Sequence, residues 1–150
     1  MLDSVKMALR ISNIAYDTEI QDLIDIAKAD LKLCGLIETK IVDIDVLIKR
    51  AIVTYCKANF GLNNMDSEKL QRSYEAIRNH LAMSIDYIYY TVTITASMQG
   101  QITFNAETKQ TNELGVAIFY SKAKNHIEYK LIDNIIRYID ITDDTTIGAW

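Results

Sequence analysis

The 150-residue sequence predicts an α+β protein, a four-helix bundle-like N-terminal domain followed by a small antiparallel β-sheet or sandwich module. Three observations carry this expectation. Up to about residue 84, apolar residues recur at three- and four-residue spacing, which puts them on one face of successive helices. From Tyr87 the chain becomes rich in aromatic and β-branched residues, alternating from Tyr90 onward, as on a half-buried strand. With no proline and only five glycines, this change of period marks the boundary, dividing the chain at 1–86 and 87–150.

The first helix runs from Leu2 to about Ile11, with Leu2, Val5 and Leu9 at helical spacing. Asn13–Tyr16 reads as a connection, and Asp17 or Thr18 supplies a capping side chain for the second helix. There Ile20, Leu23, Ile24, Ala27, Leu31 and Cys34 form the inward face, and Gly35 stands where a left-handed terminating residue is needed. A third helix starts at Asp43 or Asp45 and ends at Phe60, with Leu47, Ile48, Ala51, Ile52, Tyr55 and Cys56 apolar and Gly61 as the stop. The fourth opens with Asp66-Ser67-Glu68 and buries Leu70, Tyr74, Ile77 and Leu81. Strands follow at Tyr87–Thr95, Gln101–Phe104, Val116–Tyr120, Ile127–Leu131 and Ile135–Ile141, the last of which could instead be helical. Turns fall at Gly100, Asn105, Thr111–Gly115 and Asp133-Asn134.

Composition narrows the function. Net charge is −4, split as 11 basic and 13 acidic residues over 1–90, and 5 and 7 over 91–150. Neither part has the basic excess needed to neutralise many phosphates, which argues against tight nucleic-acid binding. No run of eighteen apolar residues is present, so no membrane span is expected, and the N-terminal residues carry no secretion-signal pattern. Cys34 and Cys56 sit in helical apolar patterns and read as small buried hydrophobes. Glycine-rich phosphate loops are absent. His80 and His126 have no neighbouring nucleophile, and a metal site from His126, Glu128, Asp143 and Asp144 would need a tertiary coincidence. Asp140, Asp143 and Asp144 read as a solvated acidic tail. The chain is therefore expected not to be an enzyme and to need no cofactor.

Four stretches carry a family resemblance. They are Val5-Lys6-Met7-Ala8-Leu9-Arg10-Ile11, the helix Glu19–Leu31, the helix Asp45–Gly61 with its Tyr-Cys-Lys-Ala-Asn-Phe-Gly ending, and Lys69–Glu75 followed by His80-Leu81. In this order and spacing, residues 1–86 resemble the bacteriophage head–tail connector (adaptor) family, whose members include DNA-packaging and head-completion proteins. The resemblance implies a structural virion protein, a homo-oligomeric and usually twelvefold ring between portal and tail. Such a ring extends the DNA channel and serves DNA packaging, DNA ejection and viral assembly. Its partners would be further copies of itself, the portal protein, the next head-completion or tail protein, and DNA passing without tight binding. The implied location is the head–tail interface of the virion, with assembly in the host cytoplasm and no membrane.

Residues 101–119 resemble immunoglobulin-like or carboxypeptidase-regulatory-like β-domains through a Thr111-Asn112-x-x-Gly115-x-Ala117-x-Phe119 turn-and-strand pattern. Residues 87–150 thus form either a small β-rich domain or a C-terminal arm that adds strands to a neighbour. The alternative function is binding of a ligand or host surface by this module. Candidate subunit or channel contacts are Lys49, Arg50, Lys57, Arg72 and Arg78 on polar helix faces, with loop Leu62–Asp66 also expected at neighbours. Tyr87, Tyr89 and Tyr90 are candidate interface aromatics, or else simply line a half-buried strand.

Overall fold

A computed structural model describes residues 1–96, 99–122, 124–131 and 136–148, without the side chains of 124–126, 136–138 and 140. The chain divides into two compact units, Met1–Tyr87 and Ile88–Trp150. Helices α1 (Leu2–Leu9), α2 (Asp17–Leu33), α3 (Val46–Asn59), α4 (Ser67–Met83) and the single turn α5 (Ile85–Ile88) precede the strands. These are β1 (Tyr90–Thr95), β2 (Gln101–Phe104), β3 (Glu107–Gln110), β4 (Val116–Ser121), β5 (Lys124–Lys130), β6 (Ile136–Ile141) and β7 (Thr145–Gly148). The α+β class expected from the sequence is the one observed.

In the helical unit α3 is central, packing against α1, α2 and α4. Its Ile48, Ala51, Ile52 and Cys56 join Val5, Ile20, Ile24, Ala27, Leu31, Leu36, Tyr74 and Leu81 in one buried core. Most of these are the positions expected from helical spacing, because burying that stripe is what drives a short helix to form. Leu47 departs from expectation. It stands 52% exposed, one position around the helix from the core face.

Helix termini differ in part from the sequence reading. Neither Asp17 nor Thr18 caps α2; Asp17 is already helical and pairs with Lys6, while the connection Ile14–Tyr16 is a 3-10 turn. At α3, Asp45 is the cap, accepting the Leu47 and Ile48 amides at 2.8 and 2.9 Å. Gly35 ends α2 at φ +99°, where its amide donates to Lys32 and that of Leu36 to Leu31. This pairing satisfies two otherwise orphan carbonyls and lays buried Leu36 over buried Leu31. Arg10 does the same work at the end of α1 with φ +60°, its amide donating to Met7 and that of Ile11 to Lys6. Between α3 and α4, the side chains of Asn64 and Ser67 donate to Ala58, Asn64 also to Lys57, and so occupy the last carbonyls of α3.

The β-rich unit holds two sheets, β4-β1-β7 and β3-β2-β5-β6. Strand β1 pairs antiparallel with β4 (Val92 opposite Phe119) and parallel with β7 (Ile94 opposite Ile147), so the module is not wholly antiparallel. Val92, Ile94 and Phe119 from one sheet and Ile102, Phe104, Ile127 and Ile141 from the other are buried. The Phe104 and Phe119 rings meet at 5.4 Å, joining the two inner faces.

Three strand expectations are corrected. Tyr87 and Ile88 are helical, because Tyr87 is tied into the helical unit: its carbonyl accepts from the Ile37 amide at 2.9 Å and its hydroxyl donates to Asp45. Strand β3, a polar Glu-Thr-Lys-Gln edge, gave no alternating signal; it follows a two-residue turn at Asn105-Ala106, both at positive φ. Asp143 and Asp144 are exposed but do not lie in a tail. They turn the chain into β7, and the Asp144 carboxylate accepts the Thr91 amide at 2.7 Å. Ile136–Ile141 is strand rather than helix, and the expected Asp133-Asn134 turn lies outside the described residues.

Candidate interaction surface

The outward side of α3 follows from its central packing. Once Ile48, Ala51, Ile52 and Cys56 face inward, Val46, Lys49, Arg50 and Lys57 must face out, and all four are exposed. Helix α3 contains no acidic residue. Lys49, Arg50 and Lys57 make no ion pair among the described residues, so three cations stand together on a chain of net charge −4.

The two other cations expected as contacts are engaged within the helical unit. Arg72 pairs with Glu68 one turn before it on α4, an exposed pair worth only a few tenths of a kcal/mol. Arg78 donates to Asp30 Oδ2 at 3.1 Å, and the Tyr74 hydroxyl donates to the same oxygen at 2.6 Å. The guanidinium lies 5.8 Å from the Tyr74 ring centre. Burial, then the bond to Asp30, pushes the Tyr74 hydroxyl pKa well above its usual range. Arg78 Nε is buried without a hydrogen-bond partner among the described residues.

The three tyrosines fall in three settings. Tyr87 is half-buried and donates to Asp45 at 2.9 Å; burial and this bond push its pKa up to about 12. Tyr89 is half-buried with the Lys122 ammonium 5.8 Å from its ring centre. Tyr90 is 5% exposed and lies on the inward face of β1.

Large apolar side chains stand exposed on the helical unit. Leu62 and Met65 at the α3–α4 loop are fully exposed, Ile44 is 90% exposed, and Leu33 on α2 is 86% exposed. The sequence reading missed Ile26, Leu33, Ile44 and Val46; the available signal was apolar residues left over on otherwise polar helix faces and loops. Two grooves lie on the helical unit, the second of them lined in part by Ile26 and Leu33. One, about 300 Å³, lies between the start of α3 and the end of α4 and is lined by Leu47, Ile77, His80, Leu81, Ser84 and Tyr87. The other, about 370 Å³, lies beside α2 and includes Ile26, Ala29, Leu33, Tyr55, Tyr74 and Arg78.

Among the described residues, no group of three or more His, Cys, Asp and Glu side chains is placed to hold a metal ion. Of the four residues weighed for one, the His126 side chain lies outside the described residues, Glu128 pairs with Lys130 at 3.5 Å, the Asp143 carboxylate accepts the Asp144 amide, and Asp144 holds Thr91. Cys34 and Cys56 are free thiols, and burial pushes that of Cys56 up to about 12. No described helix is long and apolar enough to cross a membrane.

The architecture defines the class: an α+β protein whose helical unit presents charged and apolar residues on outward helix faces. The phage connector protein family matches residues 1–88, more than half of the chain, and the chain belongs to that family. It is a structural family of the phage virion. Comparison with curated proteins and with solved structures finds no match.

Proposed function

We propose that this connector is the repeating subunit of a homo-oligomeric ring, usually twelvefold in the family, seated between portal and tail, where it extends the DNA channel. The observation that carries the proposal is the coincidence of the family match at residues 1–88 with the helical unit Met1–Tyr87. Exposed apolar side chains at Leu33, Ile44, Leu62 and Met65 support it, since a subunit that never associates gains nothing from leaving such groups in water. Its mechanism is steric and interfacial: helix cores fix the subunit, and outward faces and the Leu62–Asp66 loop meet neighbours. The portal and the next head-completion or tail protein are the proposed partners at the two ends, in a virion component assembled in the host cytoplasm. A mildly acidic subunit suits a conduit, because many phosphate contacts would retard a moving duplex.

Residues 88–150 we assign as a small domain rather than a strand-donating arm. The support is a core of its own, with Phe104 and Phe119 buried between two sheets. Electron microscopy of the purified chain tests the main proposal. Rings with a central hole wide enough for duplex DNA, and binding to portal particles, are the expected results. A strict monomer that ignores portal particles would count decisively against it.

A further inference from the structure

The connection between α3 and α4 is built as a fixed knob. Gly61 turns the chain out of α3 at φ +79°. The Asn64 side chain donates to the Lys57 and Ala58 carbonyls at 2.6 and 3.3 Å and accepts the Asp66 amide at 3.2 Å. The Ser67 hydroxyl donates to Ala58 at 2.7 Å, and its amide donates to Asn64 at 3.1 Å. Held by these bonds, the loop leaves Leu62 and Met65 wholly in solvent, so neither gains burial from its own subunit. Asp66 is exposed beside them, and its carboxylate neither caps α4 nor makes an ion pair among the described residues. The loop is ordered before any contact is made, which lowers the entropic cost of binding through it.

The groove of about 370 Å³ beside α2 has the matching chemistry. Its α2 wall is apolar, with Ile26, Ala29 and Leu33, whereas its α4 wall carries Gln71, Tyr74 and Arg78. Arg78 gives Asp30 only Nη1, and 27% of its side chain stays exposed. A guanidinium has five N–H donors, so it can hold a second carboxylate while keeping the first. Leu62 and Met65 suit the apolar wall and Asp66 suits Arg78. The loop cannot reach the groove of its own subunit in this way. Asp66 stands at the start of α4 and Arg78 lies more than three turns along it, so about 18 Å of rigid helix separates them. Knob and groove are different surfaces of one subunit, so a contact between them is head-to-tail, the kind that closes into a ring.

We infer that the Leu62–Asp66 loop of one copy docks in the α2–α4 groove of the next, a second copy of this chain being the occupant. This rests on the ring proposal and specifies its interface. Leu62 and Met65 act as the apolar anchors against Ile26 and Leu33, and the Asp66–Arg78 pair fixes their register.

The test uses the full chain in two complementary forms, followed by light scattering after gel filtration. One carries Leu62→Ser and Met65→Ser, which removes the knob and keeps the groove. The other carries Ile26→Glu and Leu33→Glu, which spoils the groove and keeps the knob. All four side chains are at least half exposed, so both forms should retain the helical circular dichroism of the unaltered chain. Each alone should associate about a hundredfold more weakly, because two buried apolar anchors are lost. Mixed one to one, they should form dimers and stop there, since one intact knob meets one intact groove and neither remaining surface can propagate. A separate variant, Asp66→Lys, leaves both apolar surfaces in place and should weaken assembly at least about tenfold by setting a cation against Arg78. If the unaltered chain forms rings and either double variant does so equally well, or the mixture yields no dimer, or Asp66→Lys assembles unimpaired, the docking is wrong while the ring stands. An unaltered chain that stays monomeric removes both.

Discussion

Tyr87 donates its hydroxyl to Asp45 Oδ2 at 2.9 Å, while Oδ1 of the same carboxylate accepts the first free amides of α3. One side chain thus begins the central helix and fixes the residue at which the helical unit ends. Asp45→Ala removes both functions and should destabilise the helical unit by about 2 kcal/mol, the sum of a cap and a hydrogen bond. Urea titration followed by helical circular dichroism checks this. A double-mutant cycle with Tyr87→Phe should show coupling of about 1 kcal/mol; additive effects would mean that the bond contributes nothing.

The same contact gives a pH dependence. The Tyr87 hydroxyl has its folded pKa raised from 10.0 to about 12 by burial and by the bond to Asp45. Stability from this group is therefore complete below pH 10 and lost as pH rises toward 12. Buried Cys56 acts in the same sense over the window from 9.0 to about 12. Tyr87→Phe should make the alkaline decline in stability shallower above pH 10, measured as the urea midpoint against pH. An unchanged slope would show that Tyr87 ionises equally easily in both states.

Asp30 accepts from both Tyr74, which is 1% exposed, and Arg78. Asp30→Ala would leave the tyrosine hydroxyl buried without an acceptor and strip Arg78 of its counter-charge, at an expected cost of about 2–4 kcal/mol. Tyr74→Phe removes donor and need together and should cost only about 1 kcal/mol. Chemical denaturation of both variants discriminates; equal losses would contradict the assigned geometry.

Backbone conformation predicts opposite outcomes at two helix ends. No atom lies within 4 Å of a Cβ built on Gly35, yet its φ of +99° makes Gly35→Ala costly by about 1 kcal/mol through the backbone alone. Arg10 and Ala106 occupy φ of 60° and 65° without being glycine. Arg10→Gly and Ala106→Gly should each raise stability by about 0.5–1 kcal/mol, the relief of left-handed strain less the entropy of a freer unfolded chain. Calorimetric melting temperatures give the sign directly.

Phe119 is fully buried against Phe104. Phe119→Ala should cost about 3–5 kcal/mol within the β-rich unit. If residues 88–150 form a domain, its tyrosine near-ultraviolet signal should melt early while helical ellipticity persists. Simultaneous loss of both signals would instead favour a single cooperative unit.

The helical core was legible because each helix buries a continuous stripe, and Val5, Ile20, Ile24, Leu31, Ile52, Cys56, Tyr74 and Leu81 repeat at the period that such burial requires. Sequence also determined the stop at Gly35 and the change of period before β1, and narrowed the start of α3 to Asp43 or Asp45, all properties of a few adjacent residues; the fold made Asp45 the cap. Tertiary structure alone decided the rest. Strand β7 exists because Thr145–Gly148 lies parallel to β1, some fifty residues away in sequence, a partnership that four residues cannot announce. Tyr87 looked like the first residue of a strand until Asp45 and Ile37 claimed its hydroxyl and carbonyl. Among the expected contact cations, Arg72 pairs with Glu68 four residues before it, a local pairing, whereas only the fold brought Arg78 to Asp30 and left Lys49, Arg50 and Lys57 without an ion pair among the described residues. Local spacing sets which face of a helix is buried; distant segments decide which of its charges remain for another molecule.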